Sequence, residues 1–343
     1  LSLFEVKAVD KTYYKDRLED FLPDSIFDVH THVYLPQPPR KGEVRTVTWP
    51  ALVADKNPIE DLMETAQLMF PGKTYVPLMF GTPTKGVDLT APNTYISDVV
   101  AKTGFPSLLL AHPKMSATDL ESAIQGGGFK GIKVYLTFAP LYIPVPQIRI
   151  FDFLTHEHLA VCDKLGCAVM LHISRDARLR DPVNVAQLQQ IENTYKNLKL
   201  IVAHVGRAYC NSDVGDALDI LSKTDNMVFD FAANTNGWVF EQLIRAVGPS
   251  RIMFGSDLPI ARMRMRRIEE DGVYKNVVPR GLYGDVRADK NMKEVDPPEA
   301  DALSFFMYET IEAFRQASIN TELSRNDIEK VFWQNGKDMF GFK

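Results

Sequence analysis

Two histidines separated by a single residue, His30 and His32 in Asp28-Val29-His30-Thr31-His32, close a short apolar approach, Ser25-Ile26-Phe27. On a strand, positions two apart face the same way, so both imidazoles would project into one space and could share a metal ion through neutral ring nitrogens. Three later strand-like runs also end on a side chain able to bind metal: Ala168 to His172, Lys199 to His204, and Arg251 to Asp257. Polar endings on apolar strands, arriving in series, point to an active site assembled from strand ends.

Such a site needs a frame that brings distant strand ends together. Eight short apolar or β-branched runs can be read, at Ser25–His30, Tyr75–Phe80, Ser107–Ala111, Gly131–Leu136, Ala168–His172, Leu198–Ala203, Met227–Phe231 and Arg251–Phe254. Between them lie helical stretches at Pro58–Leu68, Thr94–Thr103, Ala117–Ile124, Ile150–Leu165, Asn184–Thr194, Ser212–Leu221 and Trp238–Val247. Ser116 stands where a hydroxyl can cap the third of these. Strand followed by helix, repeated around the chain, predicts an α/β fold closed into a (β/α)8 TIM barrel. A single barrel domain over 1–343 is expected, with loop insertions at about 33–73 and 259–299. Both would sit above the strand ends, where the loops of a barrel form the substrate pocket.

With 343 residues, 45% of them hydrophobic, the chain can bury one large core. Lys and Arg number 39 against 44 Asp and Glu, a net charge of -5, so the balance favours neither nucleic acid nor an anionic membrane. A small-molecule substrate is expected. Cys162, Cys167 and Cys210 form no CxxC pair and are odd in number, which fits a reducing, cytoplasmic setting. No run is long enough to span a bilayer, and Leu1 to Lys15 is mixed and charged rather than signal-like.

Taken in order, the HxH ending the first strand, single histidines ending the fifth and sixth, and an aspartate ending the eighth resemble the amidohydrolase superfamily. More narrowly, the chain resembles the amidohydrolase-related group that includes the aminocarboxymuconate-semialdehyde decarboxylases and several ring-opening hydrolases. The matching segments are Asp28-Val29-His30-Thr31-His32, Gly128 to Lys133, Met170-Leu171-His172, Ala203-His204-Val205-Gly206-Arg207, Met253 to Pro259, and the closing helix from Ile328 to Phe340 with its Asn335. The resemblance implies that His30, His32, His172 and Asp257 bind a divalent metal, zinc or another such as manganese, at one ion per subunit. It also implies that Asp257 takes a proton from a metal-activated water, while His204 polarises a carbonyl or acts as acid and base.

Lys133 has three readings. In some superfamily members a lysine carbamate at the end of strand four bridges two metals, which would make His172 and His204 ligands of a second ion. A free ammonium could instead bind a substrate carboxylate, or the lysine could simply be paired with an Asp or Glu. Arg207 is a further candidate for holding an anion, because its planar fork suits a carboxylate. His112 reads as structural, and His156 and His158 diverge on a helix and read as surface or packing residues. The run Arg262 to Arg267, followed by Glu269, Glu270 and Asp271, reads as a solvated helix end or a subunit contact, with presentation of charge to an acidic substrate as the alternative. Trp49 and Trp238 are taken as packing residues rather than pocket walls.

Two reactions follow from the resemblance: hydrolysis of a small carboxylated ester, lactone or amide, and non-oxidative decarboxylation of an aromatic or dienoic acid. A metal kept only as a structural tie would not require both Asp257 and His204. Polymerase-histidinol-phosphatase enzymes also begin with DxHxH but need more ligands than the seven histidines here supply. TatD-type nucleases usually carry a glutamate where this chain has Lys133. The expected partner is an organic acid or its cyclic ester, with no nucleic acid and no membrane, and a homodimer formed through outer helices is plausible for barrels of this group.

Overall fold

The computed structural model describes residues 2–36, 49–82 and 88–343. Eight strands succeed one another along the chain: β1 (Ser25–His32), β2 (Thr74–Phe80), β3 (Leu109–Leu110), β4 (Gly131–Val134), β5 (Ala168–Leu171), β6 (Lys199–Val202), β7 (Val228–Asp230) and β8 (Ile252–Met253). Strands β3 to β8 pair in parallel in sequence order, as do β1 and β2. A parallel bridge from Met79 to Ser107 joins β2 to β3. On the other side Val29 N donates to Phe254 O at 2.9 Å and His32 N donates to Leu258 O at 2.8 Å, which closes the sheet on itself. The expected (β/α)8 barrel is therefore present.

Each strand is followed by a helix that packs its apolar face outside the sheet. The helix after β3 starts at Ser116, whose hydroxyl accepts from Asp119 N at 3.1 Å as the sequence predicts. The expected helix over Ile150–Leu165 is shorter. It is one 3-10 turn, Ile150–Asp152, then a helix from His156 to Leu165 capped by Thr155. Ser212–Leu221 likewise splits into the 3-10 turn Asn211–Asp213 and an α-helix over Ala217–Leu221. The barrel interior is filled by Phe27, Val29, Leu78, Met170, Ile201 and Met253, and its lower end is closed by Phe340. Asn335, on the closing helix, donates to the carbonyls of Pro249 and Ile252 at 2.8 Å each and so pins that helix to β8.

Of the two expected insertions, 33–73 contains the short helix Trp49–Val53 and the barrel helix Ile59–Met69, and residues 37–48 lie outside the described residues. The 259–299 segment is not a structureless loop. It folds into a second sheet of β9 (Arg266–Glu270), β10 (Val273–Pro279) and β11 (Met292–Val295), with β10 central, antiparallel to β9 and parallel to β11. The turn between β9 and β10 is Asp271-Gly272, with φ of 52° and 72°, the dipeptide that best accommodates two left-handed residues in a two-residue hairpin. The basic run before it is thus not the end of an α-helix: Arg262 closes the 3-10 turn Ile260–Arg262, and Arg266 and Arg267 begin β9. Arg264 is buried in a two-pronged ion pair with Asp10, both contacts 2.7 Å, which ties the N-terminal segment to the inserted sheet. Met263, Met265, Val278, Tyr283 and Phe306 form a small core beneath the insert.

Candidate active site

The functional side chains gather at the ends of the strands, and a change of strand parity aims the first two. Phe27 and Val29 face the barrel interior, whereas Asp28 turns away to accept from Tyr75 Oη at 2.6 Å and Ser256 N at 2.9 Å. The β1–β2 register then shifts between Asp28 and Thr31. An irregularity of this kind re-aims a strand, so His30 follows Val29 inward and His32 follows two residues later. Gly255 lets β8 come this close, because a Cβ there would lie 2.8 Å from His30 Cβ.

Both imidazoles converge on one oxygen. His32 Nε2 is 3.0 Å from Asp257 Oδ1, and His30 Nε2 is 3.5 Å from the same atom. The opposite nitrogens are held from behind: His30 Nδ1 by Asp230 Oδ2 at 3.0 Å, and His32 Nδ1 by Tyr135 Oη at 3.3 Å and Thr82 Oγ1 at 3.5 Å. Ligand atoms of His30, His32 and Asp257 lie within 4.8 Å of one another, as do those of His30, His204 and Asp230. Two imidazole nitrogens, each ring held from behind, and a carboxylate are a donor set that fits a divalent cation. His172 joins neither group. Its ring centre lies 5.2 Å from that of His204, and its Nδ1 is buried without a hydrogen-bond partner among the described residues.

His204 begins a turn in which four consecutive residues have positive φ: His204 57°, Val205 50°, Gly206 60° and Arg207 60°. Only Gly206 adopts this without strain, and a Cβ there would also meet Leu179 Cδ1 at 2.6 Å. A β-branched residue such as Val205 in this region marks strain held by the surrounding structure, as is common at functional sites. The turn sets His204 Nδ1 2.8 Å from Ala232 O and its backbone N 2.8 Å from Asp230 Oδ1. A carbonyl can only accept, so Nδ1 carries the proton and Nε2 presents a lone pair. Burial, followed by the nearby His30, lowers the His204 pKa to about 4. Burial also lowers His30 and, together with His204, lowers His172 well below the usual histidine range. For Asp257, burial pushes upward but the His32 hydrogen bond and the neighbouring imidazoles prevail and hold the carboxyl below its ordinary value.

Lys133 is 1% exposed, with Nζ over the rings of Phe80 at 5.0 Å and Tyr135 at 5.2 Å. No carboxylate among the described residues pairs with it, so the reading of a lysine with an Asp or Glu partner does not hold. Burial lowers its pKa to about 8, against the pull of Asp230 and Asp257. Among the described residues Arg207 Nη1 reaches only the carbonyls of Ile173 and Arg175, each at 3.5 Å.

The remaining histidines stand as expected. His112 accepts from Lys114 N at 3.1 Å, His158 is buried with Nε2 2.9 Å from Met115 O, and His156 is exposed. Trp238 is 42% exposed, and Trp49 packs against the inserted sheet with Nε1 3.3 Å from Asp289. Asp230 is the site residue that sequence reasoning missed. It ends the apolar run Val228-Phe229 as His172, His204 and Asp257 end theirs, so the same rule could have found it.

The family model for amidohydrolases matches residues 27–342. The chain belongs to the amidohydrolase family. Members of this family are enzymes, both hydrolases and decarboxylases, and depend on divalent metal, and this chain is an enzyme of that family. Among solved structures it is similar to an amidohydrolase from Burkholderia multivorans with bound HEPES, at 11% identity and a TM-score of 0.57, covering 93% of this chain and 99% of that one. It is also similar to a putative 2-pyrone-4,6-dicarboxylic acid hydrolase from Pseudomonas putida (14% identity, TM-score 0.54, 94% and 99% covered). A third is a dihydroxybenzoic acid decarboxylase from Polaromonas with bound manganese and the inhibitor 2-nitroresorcinol (15% identity, TM-score 0.52, 93% and 97% covered). At these identities the likeness is one of fold. No curated protein matches. No described helix is long and apolar enough to cross a membrane.

Proposed function

We propose that the protein hydrolyses a small carboxylated ester, lactone or amide at a one-metal site formed by His30, His32, His172 and Asp257, with Asp257 and His204 moving protons and Lys133 and Arg207 binding the substrate's carboxylate. The observation that carries this reading is the convergence of His30 Nε2 and His32 Nε2 on Asp257 Oδ1, with each opposite nitrogen held in place. The Nδ1 of His172, buried beside His204 without a hydrogen-bond partner among the described residues, supports it as the remaining ligand. Zinc or manganese bound there would polarise the substrate carbonyl and make a water molecule acidic near neutral pH.

The chain's own groups then divide the proton work. Asp257 is ionised and accepts a proton from the attacking water as the new carbon–oxygen bond forms. His204 enters as a neutral ring with a lone pair on Nε2, so in the resting enzyme it can accept a proton but cannot donate one. Once it has taken from Asp257 the proton removed from the water, Nε2–H can donate that proton to the departing oxygen or nitrogen as the ester or amide bond breaks, which returns both groups to their resting states. Lys133 keeps an ammonium over two aromatic faces, and among the described residues no carboxylate forms an ion pair with it, although Asp230 and Asp257 act on it at longer range; this leaves its hydrogens free for an incoming substrate anion. The three cysteines are unpaired, which supports a reducing compartment such as the cytoplasm.

The test is turnover of a panel of lactones and carboxylated aromatics by zinc- or manganese-loaded enzyme, following protons and carbon dioxide together. Proton release without carbon dioxide, dependent on both His204 and Asp257, is expected. Carbon dioxide evolved from an aromatic acid, with every lactone untouched, would replace hydrolysis by decarboxylation.

A further inference from the structure

The sheet inserted after β8 carries the last arginine of the basic run Arg262 to Arg267 into the barrel mouth. Arg267, on β9, donates from Nη1 to Ala233 O at 2.7 Å and from Nε to Asn276 Oδ1 at 2.8 Å. Its guanidinium carbon lies 4.8 Å from the Tyr209 ring centre, 4.7 Å from that of Tyr274 and 4.7 Å from that of Phe306. Neither hydrogen-bond acceptor is charged, and no carboxylate among the described residues pairs with this arginine. Arg178, whose guanidinium carbon lies 5.2 and 5.1 Å from the same two ring centres, is neutralised by Asp213 at 2.6 Å. Arg267 is not.

Its position relates it directly to the reacting groups. Ala232 O accepts from His204 Nδ1, and the next carbonyl, Ala233 O, accepts from Arg267. The two side chains therefore hang from successive peptide units of the segment that follows Asp230. Tyr209, whose ring faces Arg267, lies two residues beyond Arg207 in the turn that starts at His204. The mouth thus holds two guanidinium groups, Arg207 and Arg267, without carboxylate partners among the described residues. Two hydrogen bonds and three rings fix Arg267 in advance, while its Nη2 makes no hydrogen bond within the described structure. A partly desolvated cation held this rigidly gains most from a ligand that brings the missing negative charge.

We propose that Arg267 is a specificity-determining residue that binds a second anionic group on the substrate, remote from the bond that is cleaved, with Tyr209 and Tyr274 walling that subsite. The enzyme accordingly selects dianionic over monoanionic small molecules. This rests on the reading of the barrel mouth as the substrate site.

Isophthalate and benzoate, which differ by one carboxylate on the same ring, are the probes. Their affinities are measured by calorimetry on manganese-loaded full-length protein and again after EDTA treatment, with metal content determined on the same samples. Wild type should bind isophthalate at least tenfold more tightly than benzoate. Arg267→Met should abolish that ratio while leaving benzoate affinity within twofold, and Arg267→Lys should restore part of it. An unchanged ratio in Arg267→Met, or an equal weakening of both ligands, would overturn the proposal, the latter indicating a purely structural role. If Arg267→Met fails to fold, the ratio in Arg267→Lys decides, and a value equal to wild type would overturn it. Absence of bound metal would count against the hydrolase reading alone, because the dianion preference is still read in the EDTA-treated protein.

Discussion

Asp230 Oδ2 stands 3.0 Å from His30 Nδ1, and both side chains are sealed from solvent, at 0% and 1% exposure. The carboxylate fixes which nitrogen of His30 carries the proton and turns Nε2 toward Asp257. Its other oxygen accepts from the backbone of His204 and Ala232, so one buried acid organises two functional histidines.

Asp230→Asn should therefore weaken metal binding about 10–100-fold. Competition with a chromophoric chelator measures this. An affinity equal to wild type would remove Asp230 from the metal site.

His172→Ala and His204→Ala should part company. The first should lose most of the bound metal together with activity. The second should retain one equivalent and lose turnover by about 100-fold or more, since it removes a proton carrier and not a ligand. Element analysis with steady-state kinetics tests both. Loss of a second equivalent of metal in His204→Ala would support the bridged, two-metal scheme with a carbamate on Lys133.

Asp28 gives a pH prediction. Burial raises its pKa from 3.8 to about 6 despite hydrogen bonds from Ser256 and Tyr75, so the folded protein prefers the protonated acid. Its contribution is complete below the unfolded value and is lost as pH rises through about 6, a change of roughly 3 kcal/mol at ~1.36 kcal/mol per unit. The neutral amide introduced by Asp28→Asn would carry no such charge. Urea unfolding of metal-free wild type and Asp28→Asn at pH 4.5 and pH 8 should show wild type losing stability relative to the variant at the higher pH, and parallel behaviour would refute the assignment.

Asp10 and Arg264 form a buried, two-pronged pair, and Ser304 Oγ adds a 2.8 Å hydrogen bond to Asp10. Asp10→Ala should cost about 3–5 kcal/mol, because it strands a guanidinium inside the protein. Urea denaturation measures the loss. A cost below about 1 kcal/mol would show that water reaches the freed arginine.

The sequence alone determined the alternation of eight strands and their helices, the placement of His30, His32, His172, His204 and Asp257 at strand ends, and the cap at Ser116. These are local: a strand's period, a helix's first turn and the position of a polar residue at the end of an apolar run are set by neighbours along the chain. The Asp271-Gly272 hairpin was local too, and legible, but the charges around it read as a solvated helix end.

Tertiary structure alone decided the rest. Asp28 and His30 share the parity of one strand, yet a register shift that exists only because β1 pairs with β2 sends one outward and the other into the site. The proton on His204 is assigned by a carbonyl 28 residues away, and among the described residues Lys133 has aromatic rings and no ion-paired carboxylate because of what the closed barrel packs around it. Arg264 and Arg267, three residues apart in one basic run, part between a structural ion pair and the barrel mouth. Charge is written in the composition of a segment, but whether a charge is neutralised depends on which distant groups the fold brings within a few ångströms of it.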